Sequence, residues 1–321
     1  MTQARDRVAG PPKKPSSTFD ADAIFKWLTI GAVLVVPIIM TGIFWELLSF
    51  SWLALKKFGW RFFITEAWNP VTQNFGAASS IYGTVMSTLI AMVLAVPMSI
   101  VIALFLVELA PPRLSRVVGT LIELLAAIPS IIYGMWGLFI FAPFMAKYVQ
   151  PILGRYLGFL PLFEGPPMGI GMLTAGIILA FMVLPFITTI CRDVFALVPA
   201  VLKESGYGVG ATTWEVTYKI TIPYGIVGVL GGIFLGLGRA LGETMAVTFV
   251  IGNSHGISAS LFSPGNSIAS CLANEFAEAT EPIYVSSLIA LGLVLFVFTF
   301  IVQVISQAML WRMYRGWSIK V

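Results

Sequence analysis

Charge is scarce in this sequence. Only 11% of its 321 residues are Asp, Glu, Lys or Arg, while 58% are hydrophobic. Water-soluble domains carry about 25% charged residues, so the composition excludes an ordinary soluble domain and places the chain in a bilayer. Thiols and imidazoles are scarcer still. Two cysteines, Cys191 and Cys271, supply neither a disulfide framework nor a metal motif, and the single histidine, His255, excludes a histidine-based zinc motif. There is no Gly-Lys dipeptide, hence no G-x-x-x-x-G-K-[ST] phosphate loop to hold a nucleotide. H-E-x-x-H is missing, and no G-x-S-x-G and no plausible Ser/Lys or Asp/Asp pair lies within the apolar runs to support a membrane-embedded enzyme. No catalytic residue and no metal ligand is assigned.

What the chain does have is long apolar runs. A spanning helix needs about 20 mostly apolar residues, and six stretches qualify: 28–50, 81–107, 117–145, 168–191, 225–252 and 284–311. The fold class is therefore all-α, a polytopic membrane bundle. Pro37, Pro97, Pro129 and Pro185 fall inside these runs, as membrane helices tolerate when neighbours satisfy the freed backbone groups. The tract "GVLGGIFLGLG" suits close helix contact more than lipid.

Organisation follows from charge and composition. Residues 1–23 read as a basic cytoplasmic tail, too long before its apolar run and lacking the small-residue cleavage site of a secretory signal. The first span is 24–50, and 51–80 is an aromatic-rich outer segment in which Phe, Trp and Lys are mixed, read as an interfacial anchor, with a binding surface for an external partner as the alternative. The main transmembrane domain is 81–312, with a cytoplasmic loop at 192–225 and a short tail at 313–321. With the N-terminus inside, thirteen Lys and Arg lie on the inner side against five outside, and Arg239 is the remaining one of 19. That distribution puts both termini in the cytoplasm.

The loop "RDVFALVPAVLKESGYGVGATTWEVTYKITIPYG" is the longest on the inner side. It reads as a short helix after Pro199, ended by Gly206, Gly208 or Gly210, and a second helix stopped before Pro223. Two short helices meeting at a glycine make a knob that another protein can grip.

Two charges sit inside the fifth run, in "GGIFLGLGRALGETMAVTFVIG". Arg239 falls near its middle, where an arginine costs ~2.5–3.5 kcal/mol on insertion scales. Glu243, one helical turn on, is expected to pair with it. Intramembrane ionisable groups are functional by default, so Arg239 and Glu243 are read as substrate-pathway residues, the guanidinium offering a fork for an oxyanion. Glu123, in "TLIELLAAIPS", is a weaker candidate for gating or for pairing with an arginine.

Several of these residues carry a family resemblance. Glu204, then Gly210, then Ile220, Ile222 and Pro223 resemble the "EAA…G…I-x-L-P" loop of ABC-importer permease subunits. Ser205 and Gly206 stand where that pattern has alanines, and Ile222 where it has leucine. "ESGYGVGATTWEVTYKITIP", "LLAAIPSIIYGMWGL" (124–138) and "GLGRALGETMAVTFVIGN" (236–253) are similar to the phosphate-importer branch, over nearly all of residues 24–317. The resemblance implies a type I ABC importer permease fold in the bacterial cytoplasmic (inner) membrane. It implies that Glu204, Ser205, Gly206, Gly210, Ile220 and Pro223 couple the permease to an ATPase. It further implies a second permease subunit, an ATPase dimer that binds the ATP and Mg this chain does not, and an external phosphate-binding protein. The alternative from another class is a proton-coupled secondary anion transporter with Arg239 and Glu243 as its relay, which has no need of the loop 192–225.

Overall fold

The computed structural model describes residues 21–318. The expected basic tail therefore lies outside the described residues almost entirely. The chain divides into two compact units, Met1–Glu46 and Leu47–Val321. In the first unit, the described part belongs to one helix, Ala21–Phe58, which includes Pro37 and continues into the second unit.

Six helices are long and apolar enough to cross a membrane: Ala23–Phe58, Ala78–Leu109, Ser130–Leu157, Met172–Ala196, Thr213–Leu241 and Pro282–Met313. The last of them belongs to a helix that runs on to Ser318. The fourth span is the centre of the second unit, packed against the second, the fifth and the helix Pro112–Ala126. Two-thirds of its most apolar window (67%) is buried in protein, against 22–28% for its neighbours in that unit.

Small residues set the closeness of these contacts. On the fifth span, Gly225, Gly228, Gly232 and Gly236 recur every three or four residues and so share one helical face. That face meets Phe195, Val194, Ile190 and Ile187 of the antiparallel fourth span. A β-carbon added at Gly228 would lie 2.6 Å from Val194, one at Gly232 2.8 Å from Ile190, and one at Gly236 2.7 Å from Ile187. On the fourth span, Gly176 meets Ile90 of the second span in the same way. Ser99 of the second span donates to the Leu184 carbonyl at 3.0 Å, next to Pro185.

Two expected spans are divided differently. The run 117–145 is not one helix: Pro112–Ala126 is a separate amphipathic helix, and the span begins only at Ser130. Pro129 has no N–H and disfavours helical geometry in the residue before it, so the chain breaks there and restarts. The run 225–252 is likewise broken. Its helix ends at Leu241, and a short helix, Met245–Val250, follows an unwound Gly242–Thr244. The two restarted helices face each other, with Gly134 against Ala246 and Phe249.

The outer segment also departs from a surface anchor. The first helix continues to Phe58; a turn at Gly59, a short helix Arg61–Ile64 and a hairpin pairing Trp68–Asn69 with Asn74–Phe75 complete it. Trp60 and Ile64 are exposed, but Phe62, Trp68 and Phe75 are buried with Ile268, Tyr284 and Leu288 in an outer core. Where water is the solvent, burying each such side chain contributes about 1.5–3 kcal/mol.

The glycine face generates a test. Gly236→Ala and Gly232→Ala should each destabilise the detergent-purified protein by ~1–3 kcal/mol through overpacking. Gly231→Ala, where an added β-carbon meets nothing within 4 Å, should be neutral. Equal thermal midpoints for all three variants would contradict the close approach.

Candidate functional site

Arg239 lies in the last turn of the Ile222–Leu241 helical segment, immediately before the break. Its guanidinium sits over the ring of Phe186, 5.7 Å from the centroid. Phe186 is near the middle of Met172–Ala196, so Arg239 is at mid-membrane depth, as the sequence suggests. The helix ends there, however, instead of passing through. A cation at a helix C-terminus faces the negative end of the macrodipole, which together with the aromatic face offsets part of its desolvation. Its residue is exposed on the surface of the isolated chain.

The expected pairing with Glu243 does not form. Among the described residues the ion pairs are Arg192 with Glu123 and Asp193, Lys203–Glu108, Lys219–Glu215 and His255–Glu275. Because the chain unwinds at Gly242, Glu243 is no longer one turn above Arg239 on a common helix. Its Oε1 instead accepts from the Ala246 amide at 3.1 Å, at the start of the restarted helix. Carboxylate there satisfies an otherwise unpaired donor and complements the helix dipole. Gln303 of the sixth span also brings its amide oxygen near this level, 3.6 Å from the β-carbon position of Gly238.

Glu123 is on Pro112–Ala126, and Arg192 near the inner end of the fourth span donates to its Oε1 at 2.7 Å. Tyr133 donates from its hydroxyl to the Leu125 carbonyl at 2.9 Å, bridging the break at Pro129. The amphipathic helix is thus held from both sides of the gap.

The loop 192–225 folds as two helices meeting at a glycine. Pro199 precedes Ala200–Gly208, and Gly210, at φ +85°, reverses the chain. A positive φ of this size is readily adopted by glycine. Thr212 and Glu215 then form a capping box at the start of Thr213–Val216. The second helix does not stop before Pro223. It continues through a π turn, Thr217–Thr221, into the fifth span, with Pro223 in the first turn of the α-helical segment, where no N–H is required. The knob is therefore rigidly continuous with the helix that carries Arg239.

Gly206 is buried against Val216 and Ile220, so the two helices of the loop touch at that residue, while Glu204 and Ser205 are exposed. Leu197, Val201, Val209 and Trp214 are exposed to 70% or more around them, a broad apolar surface outside the spanning core. Sequence reasoning missed the anchor beneath. Glu108, with only 7% of its side chain exposed, accepts from Lys203 Nζ at 2.7 Å and from Thr221 Oγ1 at 3.0 Å. One carboxylate at the inner end of the second span thus ties down both the first loop helix and the π turn. A lone Glu in the "LVEL" run was the only signal for it.

A second missed cluster lies at the outer end. Glu275 accepts from Trp68 Nε1 at 2.5 Å and Tyr284 OH at 2.6 Å on Oε2, and meets His255 Nε2 at 2.9 Å on Oε1. Burial works to raise its pKa, but these three hydrogen bonds prevail and hold the carboxyl below the usual carboxylate range. His255 and Cys271, read as isolated in the sequence, are brought together here.

Among the described residues, six helices long and apolar enough to cross a membrane, one of them broken beside Arg239, and a rigid knob at 192–225 describe a multi-pass membrane protein. Residues 95–311 match the family described as "Binding-protein-dependent transport system inner membrane component". The chain belongs to that family, and is a multi-pass inner-membrane permease component of an ABC importer whose ATPase is a separate subunit. It is 55% identical over 295 residues to "Phosphate transport system permease protein PstC" of Mesorhizobium japonicum, covering 91% of this chain and 90% of that protein. It is 54% identical to the protein of the same description from Xylella fastidiosa, covering 92% of each. A solved bacterial ABC transporter involved in the import of alginate shares the fold, with a TM-score of 0.61 at 16% identity over 91% of this chain and 97% of that one.

The Glu108 anchor is directly testable. Glu108→Ala leaves Lys203 without its carboxylate and should destabilise the purified protein by ~3–5 kcal/mol, whereas Glu108→Leu with Lys203→Met should recover most of that loss. Thermal unfolding of the single variant at the wild-type midpoint would show that the pair anchors nothing.

Proposed function

We propose that this chain moves inorganic phosphate across the cytoplasmic membrane of a bacterium as one of two permease subunits in an ATP-driven importer. The observation that carries the substrate is the likeness to the PstC proteins over nine-tenths of both chains. The remaining parts are a PstA-like second permease, a PstB-like ATPase dimer that binds ATP and Mg, and a PstS-like phosphate-binding protein on the outer side. This chain itself hydrolyses nothing. Both termini are cytoplasmic, by the excess of Lys and Arg on that side.

In this reading the knob docks on the ATPase. Glu204 and Ser205 present the polar contact, Gly206 lets the loop helices close on Ile220, Gly210 makes the turn, and Pro223 starts the helix that receives the motion. Movement of the knob is transmitted along Thr213–Leu241 to the break, and so to Arg239. The Arg192–Glu123 bridge acts as a gate strap, tying the amphipathic helix to the fourth span.

Arg239 is the transient phosphate contact. A guanidinium stays charged and can donate two parallel hydrogen bonds to phosphate oxygens. Being free of Glu243, it has no carboxylate to displace before the anion arrives. Glu243 belongs to the pathway by holding the restarted helix in place, with the break as the hinge. A proton relay between the two residues finds no support in this geometry.

The separation of the two charges makes a single substitution a clean probe. Arg239→Gln strands no ion-pair partner, so the assembled complex should reach normal membrane levels. Phosphate uptake should fall at least tenfold, since charge-assisted hydrogen bonds worth ~1.5–3 kcal/mol are lost, and Arg239→Lys should recover only part of it. Uptake by Arg239→Gln close to wild type, at equal complex levels, would exclude the anion-handling role.

A further inference from the structure

We propose that His255, Cys271 and Glu275 form a binding site for a zinc-class divalent cation at the outer end of the protein. Their ligating atoms all lie within 4.8 Å of one another. The Nε2–Oε1 separation is 2.9 Å and the Sγ–Oε1 separation 3.6 Å. Tetrahedral zinc, with bonds of about 2.0–2.3 Å to N, O and S, needs donors roughly 3.3–3.6 Å apart. The sulfur–oxygen pair already fits, the nitrogen–oxygen pair has to open by a few tenths of an ångström, and the nitrogen and sulfur lie within 4.8 Å of each other.

The donor chemistry selects the cation. One nitrogen, one sulfur and one oxygen suit zinc and its borderline neighbours rather than calcium or magnesium, which prefer oxygen alone. On binding, the Cys271 thiol loses its proton to solvent as the sulfur–metal bond forms. Thiolate and carboxylate then balance the dication, leaving no net charge in a site where Cys271 is fully buried.

The surroundings are those of a prepared site. Trp68 and Tyr284 hold Oε2 of Glu275 and so aim Oε1 at the histidine and the thiol. The Trp68 ring stacks on His255 at 5.7 Å and 12°, fixing the imidazole plane. Such outer partners orient metal ligands.

An independent sign is an orphaned atom. Asn266 is only 2% exposed, and its side-chain oxygen has no hydrogen-bond partner. The Asn266 amide nitrogen points at His255, 3.3 Å from Nδ1. Half a turn of the amide places its oxygen there, where it accepts from Nδ1–H and leaves the Nε2 lone pair free for the cation. Without a cation, the present arrangement lets Nδ1 accept and Nε2 donate to Glu275. The same four residues thus serve both states, and binding would staple the outer hairpin, the loop at 255, the helix Ile268–Glu275 and the start of the sixth span.

The test uses the full chain purified in detergent and stripped with a chelator, titrated with Zn²⁺ and, in parallel, with Co²⁺. One equivalent should bind, the thermal midpoint should rise, and Co²⁺ should show sulfur-to-metal charge-transfer absorption. Cys271→Ser should abolish that absorption, and His255→Gln should weaken Zn²⁺ binding by about tenfold or more. Cys191→Ser, a buried thiol in the fourth span, should change neither. Absence of stoichiometric Zn²⁺ binding by the wild type, or charge transfer that survives Cys271→Ser, would overturn the site.

Discussion

Within a bilayer the hydrophobic effect does not draw one helix to another, because lipid tails are as apolar as leucine. The fourth and fifth spans are held instead by close approach, and the glycine face of the fifth permits it. Three glycines, Gly228, Gly232 and Gly236, meet branched side chains of the fourth span at distances that leave no room for a β-carbon, and Gly225 meets Phe195 and Val194 almost as closely. Dispersion contacts, tiny singly, then accumulate along the whole length of the pair. The position of Arg239 against Phe186 depends on this contact, which also covers one side of the fourth span.

That contact gives the charge in the membrane its meaning. The fifth span is clamped up to Gly236 and released at Gly242, so the chain unwinds just beyond the clamp. Arg239 is carried on the rigid side and Glu243 on the far side. Irregular backbone at membrane depth is tolerated where it is covered by protein or lines a wet cavity. At the other end, Glu108 holds Lys203 of the first loop helix and Thr221 of the π turn to the second span. The knob and the residues beside the break thus belong to one continuous helical element, Thr213–Leu241.

Much of this was legible in the sequence, and what was not has physical reasons. Hydropathy located six spans because a bilayer imposes length and apolarity on each. The knob at 192–225 was readable from Pro199 and Gly210, which punctuate local structure strongly. Hydropathy is blind to breaks between equally apolar halves, so Pro129 and Gly242 were read as interior positions. The Arg239–Glu243 pairing failed for the same reason, since it presumed an unbroken helix. The anchor at Glu108 and the cluster around Glu275 join residues up to 207 apart in sequence, which no local pattern announces. The outer aromatics misled because burial in a folded cap and placement at a headgroup boundary draw on the same residue types.

The central claim is that ATP hydrolysed by a docked partner drives phosphate past Arg239. The most direct measurement reconstitutes this chain with its second permease subunit, ATPase and binding protein in proteoliposomes and follows radiolabelled phosphate. Accumulation should require ATP on the ATPase side and should persist when a protonophore collapses the proton gradient. Accumulation without ATP, driven by a pH gradient alone, would contradict it.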